Sequence, residues 1–405
     1  MNPTDTIFIL VSSALVMFMT PGLALFYGGM ARSKNVLGTI MQSFFAIGVI
    51  SLVWMLWGYS LSFGPDIGGL IGGFEFLGLA GVGMEPHESI ATNMPHMAFM
   101  IFQCMFAIIT PALITGAFAE RMKFSSFIVF IILWSTLVYA PLCHWVWGGG
   151  WMGAMGALDF AGGAVVHMSS ASAALAAVLV IGRRRGYGKR SIIPHNLPMT
   201  ITGAAILWFG WFGFNAGSAL AADALAASAF VTTHMAASAA MISWTLGEWW
   251  LHGKPTTLGA ASGAVAGLVA ITPAAGFVSV GPAVIIGLVA GMACYAAVTL
   301  KPKFGYDDSL DVIGIHGIGG IWGALATGLF ATTAVNPAGA DGLFYGNSGQ
   351  LWIQFVSVVA TCVFAFVVTW IILVVIKAVM GLRVGEDQEE AGLDLSQHSE
   401  TGYQP

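Results

Sequence analysis

His167 and His316 are the two residues in this 405-residue chain whose type and setting promise chemistry. Each imidazole stands in an apolar, glycine-rich run: LDFAGGAVVH from Leu158 and LDVIGIHGIGG from Leu310. An ionisable group in such a run is costly unless it lines a cavity or meets a partner. A lone histidine on an apolar face is commonly a structural group bonded to a neighbouring hydroxyl. Two of them, each beside small residues (Gly162 and Gly163; Gly314 and Gly317), favour the lining of a pore. A neutral imidazole donates at one nitrogen and accepts at the other. If the rings share one N–H···N bond, each turns its remaining nitrogen to a narrow lumen. Such a lining suits a small hydrogen-bonding solute and can take up a proton. It does not suit a metal ion, because no carboxylate or thiolate cluster accompanies it, so neither metal nor cofactor is expected.

The elements that must position these rings cross a membrane. Hydrophobic residues make up 57% of the chain and charged residues 8%, against about 25% charged in globular domains. Apolar runs of some twenty residues recur along it, the signature of an all-α, multi-span membrane protein. The 53 glycines suit close helix approach. Cys104, Cys143, Cys294 and Cys362 are scattered through apolar runs without metal-like spacing and read as packing residues.

Eleven spans are expected, near 7–29, 39–63, 98–118, 124–143, 161–182, 199–216, 227–250, 257–276, 280–300, 312–333 and 351–376. The connections 30–38, 119–123, 183–198, 251–256 and 301–311, with the segment after 376, then share one side and hold all 14 lysines and arginines. The positive-inside rule makes that side cytoplasmic, with the N-terminus outside and the C-terminus inside. MNPTDT has no basic n-region, so the first run reads as an uncleaved span. The chain divides into an eleven-span unit, 1–376, and a tail, 377–405, which composition alone reads as disordered.

Outside, 64–97 carries Asp66, Glu75, Glu85 and Glu88 without a basic residue, a mildly acidic mouth that would concentrate cations. Trp145 and Trp151 in HWVWGGGWMGAMGALDF read as interfacial anchors. His96, His144 and His234 fall near the outer face and read as surface or loop residues. Ten spans divide into two groups of five, and the odd number inverts the second group. Spans 1–5 and 6–10 thus form an inverted repeat with the two histidine segments facing one another, a plan used by transporters. The eleventh span braces the outside.

LFYGGM with RSKNVL at 25–37, FQCMFAIITPALITGAFAERMKF at 102–124, WGGG with LDFAGGAVVH, PHNLPM with GWFGFNAGSA at 194–219, GEW with GKP near 247–255, and DVIGIHGIGG resemble the ammonium transporter/Rh family on its bacterial branch. The resemblance runs nearly end to end, tail included. It implies a permease of a bacterial inner (plasma) membrane acting on ammonium, ammonia and methylammonium. Trp147 corresponds to the family's external aromatic wall, where an indole face attracts a cation. Ser218 would offer an acceptor to an ammonium N–H. Phe106 and Phe214 resemble the stacked phenyl gate below, and Phe106, with Phe102 one turn from it, is also expected in the external binding site beside Trp147 and Ser218. Asp159 resembles the buried aspartate and reads as an N-cap in a structural role. Gln103 and Trp211 are supporting residues. The same resemblance implies a homotrimer with one pathway per subunit, and a tail that packs on the cytoplasmic face and couples to a PII-type regulatory protein. The arginines at 183–185 suit topology or anionic lipid, and no nucleic-acid partner is expected.

Other classes are weaker. An intramembrane enzyme needs a nucleophile–base pair or a motif such as HExxH, and the sequence holds neither. A sensor would bind ammonium without passing it, and a pore for water or another neutral solute would not be competed by methylammonium.

Overall fold

The computed structural model describes residues 1–403. Its spanning helices are α1 (Pro3–Met30), α2 (Ser33–Phe63), α3 (His96–Phe118), α4 (Phe124–Ala154, interrupted at Gly148–Gly150) and α5 (Gly163–Ile181). They continue with α6 (Leu197–Gly217), α7 (Ala224–His252), α8 (Thr257–Ile271), α9 (Val280–Phe304), α10 (Ile313–Phe330) and α11 (Ser348–Val379). Ten are long and apolar enough to cross a bilayer. The exception is α8, expected over 257–276 but only 15 residues long, which gives about 22 Å of helix. It starts on the Thr256 hydroxyl, which accepts from Gly259 N at 2.8 Å, and Pro273 follows its end. The non-helical stretch after it is buried, so polar backbone at membrane depth meets protein and not lipid.

Small residues set the closest contacts. α1 and α6 open the two groups of five and cross at Gly22, Gly203, Gly210 and Gly213; a Cβ on Gly203 would lie 2.6 Å from Gly22 O and abut the Phe26 backbone. Asn196 caps α6, accepting from Met199 N at 3.0 Å, with Pro198 in the first turn. α11 packs along α5, α10 and α4, while Val363, Val367, Ile371 and Val375 on its other face are exposed, as lipid-facing residues must be in a helix of this hydropathy.

The lysines and arginines lie in or beside the connections expected on one side, and several of them tie those connections together. The buried Arg121 donates to the carbonyls of Ala117, Ala119, Gly182 and Asp307 and to Ser309 Oγ. Glu120 accepts from Arg32 at 2.7 Å and from Arg184 at 3.5 Å, and Arg184 also pairs with Asp307 at 2.8 Å. Burial pushes the Glu120 carboxyl up, and Arg184 and Arg32 more than reverse that, holding it below the ordinary range.

The tail corrects the reading from composition. Beyond α11, Lys123 N donates to Leu382 O at 2.8 Å and Val384 N to Arg121 O at 3.1 Å. Two short helices follow, α12 (Glu386–Ala391) and α13 (Leu393–His398). Glu389 is buried, paired with Arg383 at 2.7 Å and accepting from Arg185 N at 2.8 Å. Asp394 accepts from Leu37 N at 3.0 Å and Gly38 N at 2.8 Å at the start of α2. Acidic composition therefore marks a segment made to fit a basic face.

Candidate functional site: a capped, histidine-lined lumen

The site is built around the starts of α5 and α10. Asp159 turns its carboxylate onto the free amides of α5: Oδ1 accepts from Gly162 N (2.8 Å) and Gly163 N (2.6 Å), Oδ2 from Ala164 N (2.7 Å) and Val165 N (3.4 Å). These are the orphan donors that any helix start leaves. Gly162 makes the turn possible, since its φ of +117° is a left-handed conformation that side-chain-bearing residues avoid. The first turns of α5 (Gly163–Met168) and α10 (Ile313–Gly317) are wound as wider π turns, a form that recurs at functional positions.

The structure reassigns the acidic partner of the second histidine. Sequence pairs Asp159 with Asp311, in the matching LD of each segment. Asp308 takes the comparable place: it stands eight residues before His316, as Asp159 stands eight before His167, and its Oδ2 accepts from Ile313 N at 2.7 Å, while its Oδ1 is buried without a partner. Asp311 has a φ of +62° and pairs with Lys301 at 2.5 Å. Burial raises the Asp308 carboxyl to about 6, against the pull of Lys301.

His167 and His316 meet in the interior. Their Nδ1 atoms are 3.2 Å apart and the ring centroids 5.3 Å apart, so one ring donates and the other accepts. His167 Nε2 is buried with no protein partner. Both rings line a lumen walled otherwise by apolar groups, including Met19, Leu23, Phe26, Ile109, Leu113, Leu207 and Val265. The free volume of this lumen is about 10 Å3, at the lower limit for one water.

A vestibule of about 810 Å3 opens on the opposite face from the basic one. Trp147, Phe106, Gln103 and Ser218 line it, with Asp66, Glu75 and His87 from the 64–97 connection. That connection is a two-stranded hairpin, β1 (Asp66–Ile67) with β2 (Ile71–Gly72), followed by turns. Trp147 is half-buried, set edge-on to Phe106 (centroids 5.9 Å, 84°), and donates from Nε1 to Asp159 O at 2.9 Å. Ser218 Oγ donates to Phe214 O at 2.9 Å, leaving its lone pairs toward the vestibule. Gln103 Oε1 is buried without a partner. Phe106 lines the vestibule and Phe214 the lumen, and their rings stand 4.3 Å apart between the two spaces. Phe102 lies behind, fully buried and edge-on to Phe106 at 5.0 Å, away from the vestibule wall. Trp211 stacks on His167 (5.5 Å, 22°) and donates to Thr272 Oγ1 at 2.9 Å.

Several placements depart from the sequence reading. His96 and His144 are buried, not surface residues: His96 Nε2 meets Tyr59 OH at 2.5 Å, and His144 lies between Ser62 O and Asp66. His234 is exposed beside Trp208. Trp145 is buried, donating to Leu70 O at 2.7 Å. The apolar lumen residues on α1, α3 and α6 were not singled out, because a stripe at helical spacing looks the same whether it faces a core or a dry channel.

A bundle of spanning helices with a recessed mouth, an aromatic partition and a narrow, polar-tipped passage has the build of a membrane transporter. The chain belongs to the ammonium transporter family, whose model matches residues 7–403 under the description Ammonium Transporter Family, and ammonium is its substrate. It is 55% identical to an ammonium transporter of Bacillus subtilis over 100% of this chain and 99% of the relative. The crystal structure of Candida albicans Mep2 superposes with a TM-score of 0.90 at 37% identity, covering 96% of this chain and 87% of that one. A solved structure described as a sensor Amt protein aligns with a TM-score of 0.89 at 28% identity, over 98% of both chains.

Proposed function

We propose that the protein captures ammonium in the vestibule, that the ion gives up its proton there, to outside water or to a relay along the two histidines, and that ammonia is conducted through the histidine-lined lumen. The observation that carries this reading is the joined pair His167–His316 in a passage of about 10 Å3 sealed by Phe106 and Phe214. A bare ion in such a place loses its hydration with too few groups to replace it, a penalty of several kcal/mol or more. Ammonia avoids it, and can hydrogen-bond to the free imidazole nitrogens in turn. Potassium has no proton to lose and is excluded.

At the mouth, Trp147 and Phe106 offer ring faces to the cation, Ser218 a lone pair, and Gln103 an unpaired carbonyl oxygen. Asp159 spends its four lone-pair directions on backbone amides, which supports a structural role under the outer site. Phe102 and Trp211 back the gate and the first histidine. With the basic face inside, the vestibule is external, the tail cytoplasmic, and the membrane the plasma membrane of a bacterial cell. The tail's packing on that face suits a docking platform for a PII-type protein, and the family relationship supports a homotrimer.

Solid-supported-membrane currents and methylammonium uptake in proteoliposomes test this. His167→Ala and His316→Ala are each expected to abolish transport or its selectivity over potassium. Wild-type flux and selectivity in the double variant would overturn the mechanism, and binding without flux in the wild type would favour a sensor.

A further inference from the structure

His144 is a fully buried imidazole with an acceptor at each end. Its Nδ1 lies 3.0 Å from the Ser62 carbonyl oxygen and its Nε2 2.8 Å from Asp66 Oδ1. A neutral ring has one N–H and can satisfy one of them, setting its other lone pair against oxygen. Asp66 does not relieve this as a neutral acid, because its side chain is 43% exposed and both its oxygens also accept from Gly69 N, at 2.8 and 3.0 Å. Hydrogen bonds from His144 and from Gly69 hold the Asp66 carboxyl below its ordinary range.

The backbone around this pair leads to the vestibule wall. Gly148 N and Gly150 N both donate to His144 O, at 3.0 and 2.9 Å, and Trp151 N donates to Gly69 O at 3.0 Å. A Cβ on Gly148 would lie 2.6 Å from His144 Nδ1 and collide with Ser62 O. The glycines after Trp147 are thus shaped around the imidazole, and the hairpin is fastened to the same turn.

We propose that His144, held doubly protonated between Ser62 and Asp66, is a positioning residue for ammonium capture: it locks the 66–72 hairpin to the Trp147–Gly150 turn and so fixes the indole of Trp147. This rests on the outer-site reading above. Asp66 is the one acidic side chain among the described residues within ion-pairing distance of the ring. Of the other titratable groups, Cys143 adjoins His144 on α4 with Tyr59 of α2 close to that thiol, and Glu75 and His87 share the vestibule lining with Asp66. Without Asp66 the buried imidazolium faces the incoming cation uncompensated.

Two measurements test the proposal. In uniformly 15N-labelled protein in bilayers at pH 7.5, with His144→Gln for assignment, solid-state NMR is expected to show N–H at both nitrogens of His144; a neutral ring overturns the proposal whatever the transport data show. In methylammonium current recordings, Asp66→Asn and His144→Gln are each expected to raise KM about 3- to 10-fold with the maximal current within 2-fold, and Asp66→Glu to restore KM. The double variant is expected to be no worse than the poorer single one, because the two act as a unit. Unchanged KM in well-folded Asp66→Asn, or additive losses in the double variant, overturns it. Trp147→Leu separates the two ideas: an unaltered KM there sinks the outer-site reading, whereas a raised KM there with silent clamp variants sinks the clamp alone.

Discussion

Asp159 and Asp308 occupy the same place in the two halves of the chain, each eight residues ahead of a pore histidine, Asp159 bonded to four amides at the start of its helix and Asp308 to one. The carboxylates mark where α5 and α10 begin, a few residues ahead of each imidazole. Four amides depend on Asp159, and leaving buried donors unpaired costs about 1–3 kcal/mol apiece. Asp159→Ala should therefore fail to reach the membrane as folded protein, while Asp159→Asn, which keeps one acceptor oxygen, should fold with a clearly lowered melting temperature. Fluorescence-detected size exclusion after a heating series reads both.

Trp211 offers a probe of the first histidine that leaves the ring itself alone. Its indole stacks on His167 and hydrogen-bonds Thr272. Trp211→Phe keeps the stacking and loses the bond, so stability should drop by about 1 kcal/mol with flux largely retained. Trp211→Ala opens space beside His167, and ammonium flux should fall at least 10-fold. Equal flux in the two variants would show that stacking does not hold the ring.

Glu120 should govern acid sensitivity of the basic face. Its folded-state carboxyl is held low, so the stabilisation it gives is present above its unfolded value, near 4.3, and is lost as pH falls through the folded one. The melting temperature should be level above about pH 5 and decline below about pH 4. Glu120→Gln leaves Arg32 and Arg184 short of a buried partner and should cost about 3–5 kcal/mol, removing part of that decline as well.

The tail's attachment can be loosened at one point. Asp394→Ala removes the acceptor for Leu37 N and Gly38 N, a loss of about 1 kcal/mol typical of a capping residue. Limited proteolysis in detergent should then release a fragment near residue 380 severalfold faster, with the spanning bundle intact. An unchanged cleavage rate would mean that the Glu389 pairs alone suffice.

How much of this could be read in advance follows from the kind of signal each feature leaves. Spans are written in hydropathy, a sum over many residues, and each of the eleven expected has its helix, ten of them long and apolar enough to cross a bilayer. His167 and His316 stand out because an imidazole is conspicuous among aliphatic neighbours. The place of Asp308 has no local mark, since the LD match aligns Asp311 with Asp159 although α10 starts only two residues after Asp311 and α5 four after Asp159. The burial of His144 was equally hidden: its partners, Ser62 and Asp66, lie some eighty positions away and have no local mark. Composition alone reads the tail as disordered, because acidic residues look solvated until the arginines that receive them are in view, whereas the resemblance implies the packing.

The whole passage, from Trp147 through Phe214 to His316, is enclosed by helices of a single polypeptide. On the proposed mechanism, each molecule is then a conductor by itself, whatever stands beside it. In cells expressing intact and pore-dead copies together, uptake should scale with the fraction of intact chains along a straight line.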